Sequence, residues 1–167
     1  EFLEGIPGSV GGALRMNAGA SSSALFDVVE RVRFMEFTGQ VAERRGAEVG
    51  AEYRSCPFFR ERVALSAVLV GEPAERKAIE ARMLAFNQRR WRSQPAAPSA
   101  GCIFKNPGTQ SAGRLIDELG LKDLRVGGAR VSREHANFIV NDGGATAREV
   151  LALIELIRQR VRAERGV

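Results

Sequence analysis

The sequence predicts an α+β fold, and three observations carry that prediction. β-prone runs stand at residues 26–37 and 62–70, before any long helical pattern. Helical spacing of apolar residues dominates residues 74–92 and the stretch that follows Thr146. Strands and helices alternate only in part, which disfavours a doubly wound parallel sheet. The chain has 167 residues, 44% of them hydrophobic, enough for one medium domain or two small ones.

Taken in order, residues 5–20 (GIPGSVGGALRMNAGA) are rich in Gly and Ala and read as a loop, with Pro7 opposing a helix through their start. In residues 26–37, Val28, Val32, Phe34 and Phe37 are β-prone, and Thr38-Gly39 is a turn signal. Gln40 to Arg44 then reads as a return strand, and residues 62–70 as a further apolar strand. Glu72-Pro73 marks a boundary, since proline suits the first turn of a helix. Ala78, Ile79, Met83, Leu84 and Phe86 give residues 74–92 their helical spacing, and Pro95 and Pro98 end the run. A short helix is expected over 112–119, stopped by Gly120, and strands over 125–131 and 137–141. Thr146 followed by Glu149 spells a capping box, opening a helix through Val150, Leu151, Ile154, Ile157 and Val161.

Composition narrows the function classes. Net charge is +5 and the isoelectric point is about 10.0, which suits an anionic ligand such as a nucleotide diphosphate. A nucleic-acid-binding module is disfavoured, because one Trp and one Tyr offer little for base stacking, and the Arg residues of 72–92 interleave with Glu as on a solvated helix face. Cys56 and Cys102 form no CxxC pair, and His135 is the one histidine, so a zinc site and a disulfide framework are both disfavoured. No apolar run reaches the roughly 18 residues of a membrane span, and no signal peptide is visible. A reducing, cytoplasmic setting is expected. The chain opens on Glu1 rather than Met and runs straight into the Gly-rich segment, as expected of a piece of a larger protein.

Three segments hold candidate chemistry. Glycines in residues 5–20 would let backbone N–H groups approach a phosphate or a flat ring, or would simply make a tight turn under a sheet. The segment fits neither the dinucleotide-binding GxGxxG context nor a Walker A loop. Ser99 to Pro107 (SAGCIFKNP) places a thiol (Cys102), a cation (Lys105) and an amide (Asn106) within five residues. A thiol held against a carbanion or enolate can deliver its proton, although cysteine also serves as a small buried hydrophobe. In YRSC, Arg54 could neutralise a carboxylate or lie on the surface, and His135 reads as structural.

Together GIPGSVGGALRMNAGA, YRSCPFF, SQP, PSAGCIFKNP, AGRLIDELGLK, GGARVSREHANFIVN and GGATA resemble, in order, the UDP-N-acetylenolpyruvoylglucosamine reductases. The likeness covers nearly the whole chain, residues 72–93 being least distinctive. It implies that residues 1–71 are the later part of a vanillyl-alcohol-oxidase-like (PCMH-type) FAD-binding domain, and that residues 72–167 are an α+β substrate-binding domain. It implies FAD as cofactor and NADPH as co-substrate, with UDP-N-acetylglucosamine enolpyruvate reduced to UDP-N-acetylmuramate for the cell wall. Ile6, Pro7, Gly8, Ser9, Gly11, Gly12, Asn17, Gly19 and Ala20 match positions near the flavin. Tyr53, Arg54, Lys105 and Asn106 match substrate-binding positions. Arg54 and Cys102 match two catalytic positions, a carboxylate partner and a proton donor that is Ser or Cys in the family. The family's upstream GxGSN-type phosphate loop and its C-terminal catalytic Glu have no counterpart here. The chain alone is therefore expected to bind FAD weakly and to be inactive. The short interval from Arg54 to Cys102 leaves no room for the Tyr-bearing loop of one subfamily.

Overall fold

A computed structural model describes residues 1–20 and 22–167. It divides into two compact units, Glu1–Gln88 and Arg89–Val167.

The first unit begins with α1 (Val10–Met16), a two-turn helix inside the segment expected to be a loop. The local chemistry explains it. Ser9 caps the start by accepting from the Gly12 amide, and Asn17 ends the helix in the left-handed region at φ 44°, a conformation that asparagine tolerates. Pro7 stands ahead of the cap, so it excludes helix only from the residues before Ser9. A two-residue pair follows, β1 (Gly19–Ala20) with β2 (Ser23–Ala24), whose close approach leaves no space for a side chain on Gly19. β3 (Val29–Glu36) lies between β4 (Val41–Arg45) and β5 (Arg62–Leu69) in an antiparallel sheet. The expected strand starts three residues late, because Leu25–Asp27 form a 3-10 turn. Val29, Val32 and Phe34 point inward with Leu14, Leu25, Val49, Cys56, Phe58 and Phe59. The Phe58 ring meets Phe34 edge-on at 4.8 Å, with the Arg62 guanidinium 4.4 Å and the Arg44 guanidinium 4.9 Å from its centroid. Those arginines therefore stack on an aromatic lid rather than simply decorating the sheet.

The chain leaves this unit within α2 (Arg76–Ser93), close to the helix that the periodicity predicts. The second unit builds a four-stranded antiparallel sheet in the order β6 (Ser99–Cys102), β9 (Phe138–Asn141), β8 (Ala129–Val131) and β7 (Arg125–Val126). The single strand expected over 125–131 is instead a β7–β8 hairpin turning at Gly127-Gly128, with Gly127 at φ 55°. The positive φ favours glycine at Gly127, and at Gly128 a side chain would meet the backbone of Gly143 and Ala145 at 2.7 Å. α3 (Ala112–Glu118) and α4 (Ala147–Arg165) complete the unit. The capping box forms as read: Thr146 Oγ1 accepts from the Glu149 amide, and Glu149 accepts from the Thr146 amide at 2.8 Å. Ile116, Ala129, Val131, Ala136, Ile139, Leu153 and Ile157 make the core. Outside it, Arg130 bridges Asp123 at 2.9 Å and Asp142 at 3.0 Å, joining the β7–β8 hairpin to the end of β9.

Candidate functional site

In the first unit, Arg54 stands on a two-residue turn. Glu52 and Ser55 exchange both backbone hydrogen bonds, at 2.8 and 3.2 Å, leaving Tyr53 and Arg54 as the tip. Arg54 takes φ 52°, which costs a non-glycine residue of the order of 1 kcal/mol and persists only where the surroundings enforce it. The surroundings are identifiable. The Cys56 amide donates to the Arg15 carbonyl at 3.1 Å, and Cys56 is wholly buried, its thiol pushed up by that burial. The Asn17 side chain donates from Nδ2 to the Glu52 carbonyl and accepts at Oδ1 from the Phe26 amide, both at 3.1 Å. The end of α1 is thereby tied to the base of the Arg54 turn. Tyr53, at the tip, is 58% exposed.

The Gly-rich segment divides by role. Gly8 (φ 142°) and Gly11 are exposed, with no atom within 4 Å of where a side chain would begin. Ser9, Asn17 and Gly19 carry local structure: a helix cap, the tie just described and a tight strand pair. Ile6 and Ala20 are partly covered, and Pro7 and Gly12 are exposed.

In the second unit, Cys102 ends β6, opposite Phe138 of β9, after a bulge at which Gly101 takes φ 78°. The next residues leave the sheet but stay attached to the turn ahead of β9. The Ile103 amide donates to the Asn137 carbonyl at 2.8 Å. The Phe104 amide donates to Asn137 Oδ1 at 2.8 Å, and Asn137 Nδ2 donates to the Phe104 carbonyl at 2.9 Å. Asn137 is buried, and its own amide donates to His135 Nδ1 at 3.2 Å. His135 therefore carries its proton on Nε2 when neutral. Burial, first, holds its pKa below the ordinary value, with nearby Lys122 adding to the effect. Its ring packs on Phe138 and leaves little space for a side chain at Gly113.

Lys105 and Asn106 are exposed on the same loop. Asn106 Oδ1 accepts from the Ala112 amide at 3.0 Å, fixing that amide group against the start of α3. Lys105 lines an open cavity of about 250 Å³, together with Phe104, Leu115, Ile157, Val161 and Arg162. Cys102 and Asn106 stand on the same stretch of chain but do not line that cavity. Sequence reasoning missed Asn137, although a polar residue inside the apolar run Ala136 to Val140 is a signal that a buried partner must exist.

Among the described residues, no cluster of metal-ligating side chains occurs, and no helix is long and apolar enough to cross a membrane.

Comparison with known proteins meets this geometry from outside. Residues 94–167 match the model of the UDP-N-acetylenolpyruvoylglucosamine reductase C-terminal domain. A UDP-N-acetylenolpyruvoylglucosamine reductase from Rhodospirillum rubrum is 44% identical across all of this chain and 54% of its own length. The chain spans about half the length of that and several other curated relatives it matches. One from Bacillus licheniformis is 45% identical over 97% of this chain and 90% of that protein. The crystal structure of UDP-N-acetylenolpyruvylglucosamine reductase (MurB) from Thermus caldophilus superposes with a TM-score of 0.87 at 42% identity, covering 98% of this chain and 59% of that one. On these matches, the chain belongs to the UDP-N-acetylenolpyruvoylglucosamine reductase family.

Proposed function

We propose that this chain serves the NADPH-dependent reduction of UDP-N-acetylglucosamine enolpyruvate to UDP-N-acetylmuramate, a step of peptidoglycan precursor synthesis in the cytoplasm. The observation that carries the reading is that Arg54 and Cys102, matching two of the family's catalytic positions, each stand on a segment held by specific backbone and side-chain hydrogen bonds. Residues 1–71 are assigned to the later part of an FAD-binding module, and residues 72–167 to substrate binding. The exposed, unobstructed backbone at Gly8 and Gly11 fits the close approach of a flavin, with Ile6, Pro7, Ser9, Gly12, Asn17, Gly19 and Ala20 shaping that stretch.

FAD, when bound, supplies the hydride that NADPH provides. This chain's residues govern the other half of the addition. The planar guanidinium of Arg54 pairs with the substrate carboxylate and stabilises the charge that gathers there once the β-carbon has gained hydride. Cys102 then gives its thiol proton to the α-carbon. The S–H bond breaks, a C–H bond forms, and the thiolate recovers a proton from water. Lys105 offers a cation, and Asn106 an amide oriented by its bond to Ala112, for the diphosphate, with Tyr53 beside Arg54 at the turn.

The test is to express the full reading frame that contains this chain and follow NADPH oxidation with and without the enolpyruvyl nucleotide. Substrate-dependent oxidation yielding the lactyl ether supports the reading. A flavoprotein that oxidises NADPH yet leaves the enolpyruvyl nucleotide unchanged contradicts it.

A further inference from the structure

The two-way amide pairing between Asn137 and Phe104 stands out from the rest of the second unit. A side-chain amide that pairs with both the N–H and the C=O of one residue on another segment restrains that residue in direction as well as distance. Asn137 lies 33 residues beyond Phe104 in sequence, is 4% exposed, and satisfies both backbone groups of Phe104 while its own carbonyl takes the Ile103 amide. Three hydrogen bonds thus fix the two residues that directly follow Cys102, where β6 has already left regular pairing at the Gly101 bulge. No ladder continues past Cys102 to hold the loop. Asn137 is held in turn: its amide donates to His135 Nδ1. Ser132 Oγ accepts from the amides of Glu134 and His135 at 3.1 and 3.3 Å, closing the turn beneath it.

We infer that Asn137 is a positioning residue for Cys102, setting the placement of the thiol, and of Lys105 and Asn106 behind it, through the backbone of Ile103 and Phe104. This rests on the proton-donor reading of Cys102, but the mechanical part stands apart from it. Proton delivery is sensitive to donor placement, and a displacement of about 1 Å can cost on the order of 100-fold in rate. An amide that clamps the adjoining residues fits that requirement better than apolar packing would, because hydrogen bonds fix direction as well as distance.

The experiment uses the full-length, FAD-loaded protein with Asn137→Ala, Asn137→Gln and Leu153→Ala. Leu153 is fully buried on α4, in the core against which Ile103 and Phe104 pack, but makes none of the hydrogen bonds of the clamp, so it tests loss of apolar packing with the clamp intact. Two quantities are read: the separate rates of flavin reduction by NADPH and of its reoxidation by the enolpyruvyl nucleotide, and the alkylation rate of Cys102 by N-ethylmaleimide, measured by peptide mass spectrometry. Buried Cys56 provides the internal reference. Asn137→Ala is expected to slow reoxidation by about 10- to 100-fold, leave reduction within about 2-fold, and raise alkylation of Cys102 relative to Cys56. Leu153→Ala is expected to change neither quantity. If Asn137→Ala does not accumulate as folded protein, Asn137→Gln decides, since it keeps both amide functions on an arm longer by one methylene and must shift the loop. Wild-type alkylation and reoxidation in Asn137→Gln, or equal changes in Leu153→Ala, overturn the inference. If Cys102→Ala leaves reoxidation intact while Asn137→Ala still alters alkylation, the proton-donor reading has failed and the clamp has not.

Discussion

The Arg54 turn and the Cys102 loop each carry one of the residues assigned to chemistry, and they are fixed in opposite ways. The turn stores strain. Its two-residue tip puts Arg54 in the left-handed region, and the restraint comes from the backbone pair Glu52–Ser55, the Cys56–Arg15 bond and the Asn17 amide. The loop stores none at Cys102 itself. The positive φ falls on Gly101, and Asn137 supplies the restraint from the turn ahead of β9. The difference suits the two tasks. A long guanidinium reaches its partner through several rotatable bonds, so its turn must set a starting direction. A thiol has one rotatable bond, so its backbone must be placed closely. In both cases an asparagine far away in sequence joins the segment to a neighbouring element.

Substitutions can break or sharpen that contrast. The largest effect belongs to Cys102→Ala, expected to slow substrate reduction by about 10²- to 10⁴-fold while NADPH still reduces the flavin normally, as read by stopped flow. Arg54→Lys comes next. Lysine keeps the charge but loses the planar two-donor fork, and a loss of about 100-fold in the same half-reaction is expected. Equal slowing of both half-reactions would count against the role given to Arg54. Asn17→Ala removes one tie among several on the Arg54 turn, so a smaller loss of about 10-fold is expected, again confined to the substrate half-reaction. A loss of bound FAD in that variant, with turnover per bound flavin unchanged, would instead assign Asn17 to the cofactor.

The smallest effect concerns stability in acid. Arg133, first, and Arg130 hold the Asp123 carboxyl below the usual carboxylate range, and Arg130 does the same for Asp142. Because the folded pKa values lie below the unfolded ones, this contribution is complete above about pH 4 to 5 and is lost as pH falls through the lowered values. Arg130→Met should lower Tm by a few degrees (~2–5 °C) at pH 7, with the gap to wild type narrowing as pH falls toward 3. His135 adds a slope of the same sign. Burial lowers its folded pKa, so its contribution is complete above about pH 6.5 and declines as pH falls below that value. A gap that widens in acid would contradict the assignment.

How much of this was legible in the sequence depended on the range of the interaction. β5 and the capping box of α4 were readable because their signals are local, an apolar run in one and Thr146 with Glu149 in the other. α1 was hidden, because Pro7 and the surrounding glycines speak for a loop while the helix starts only after Ser9. β6 has small residues and no alternation, and β7 and β8 read as one run because Gly127-Gly128 sits between Val126 and Ala129 without a polar turn residue. The roles proposed for Cys102 and Arg54 rest on motif resemblance. The asparagines that hold them act across 33 and 35 residues and leave no periodic trace.

The most direct test of the central claim, that Cys102 donates the proton, is a single-turnover comparison of Cys102→Ser and Cys102→Ala in the full-length enzyme. Family resemblance allows Ser or Cys at this position, so a donor role predicts substantial reoxidation of the flavin by substrate in the Ser variant and almost none in the Ala variant. If Cys102 only fills space, the order reverses, because alanine removes little and serine buries a hydroxyl. An Ala variant that turns over faster than the Ser variant contradicts the account.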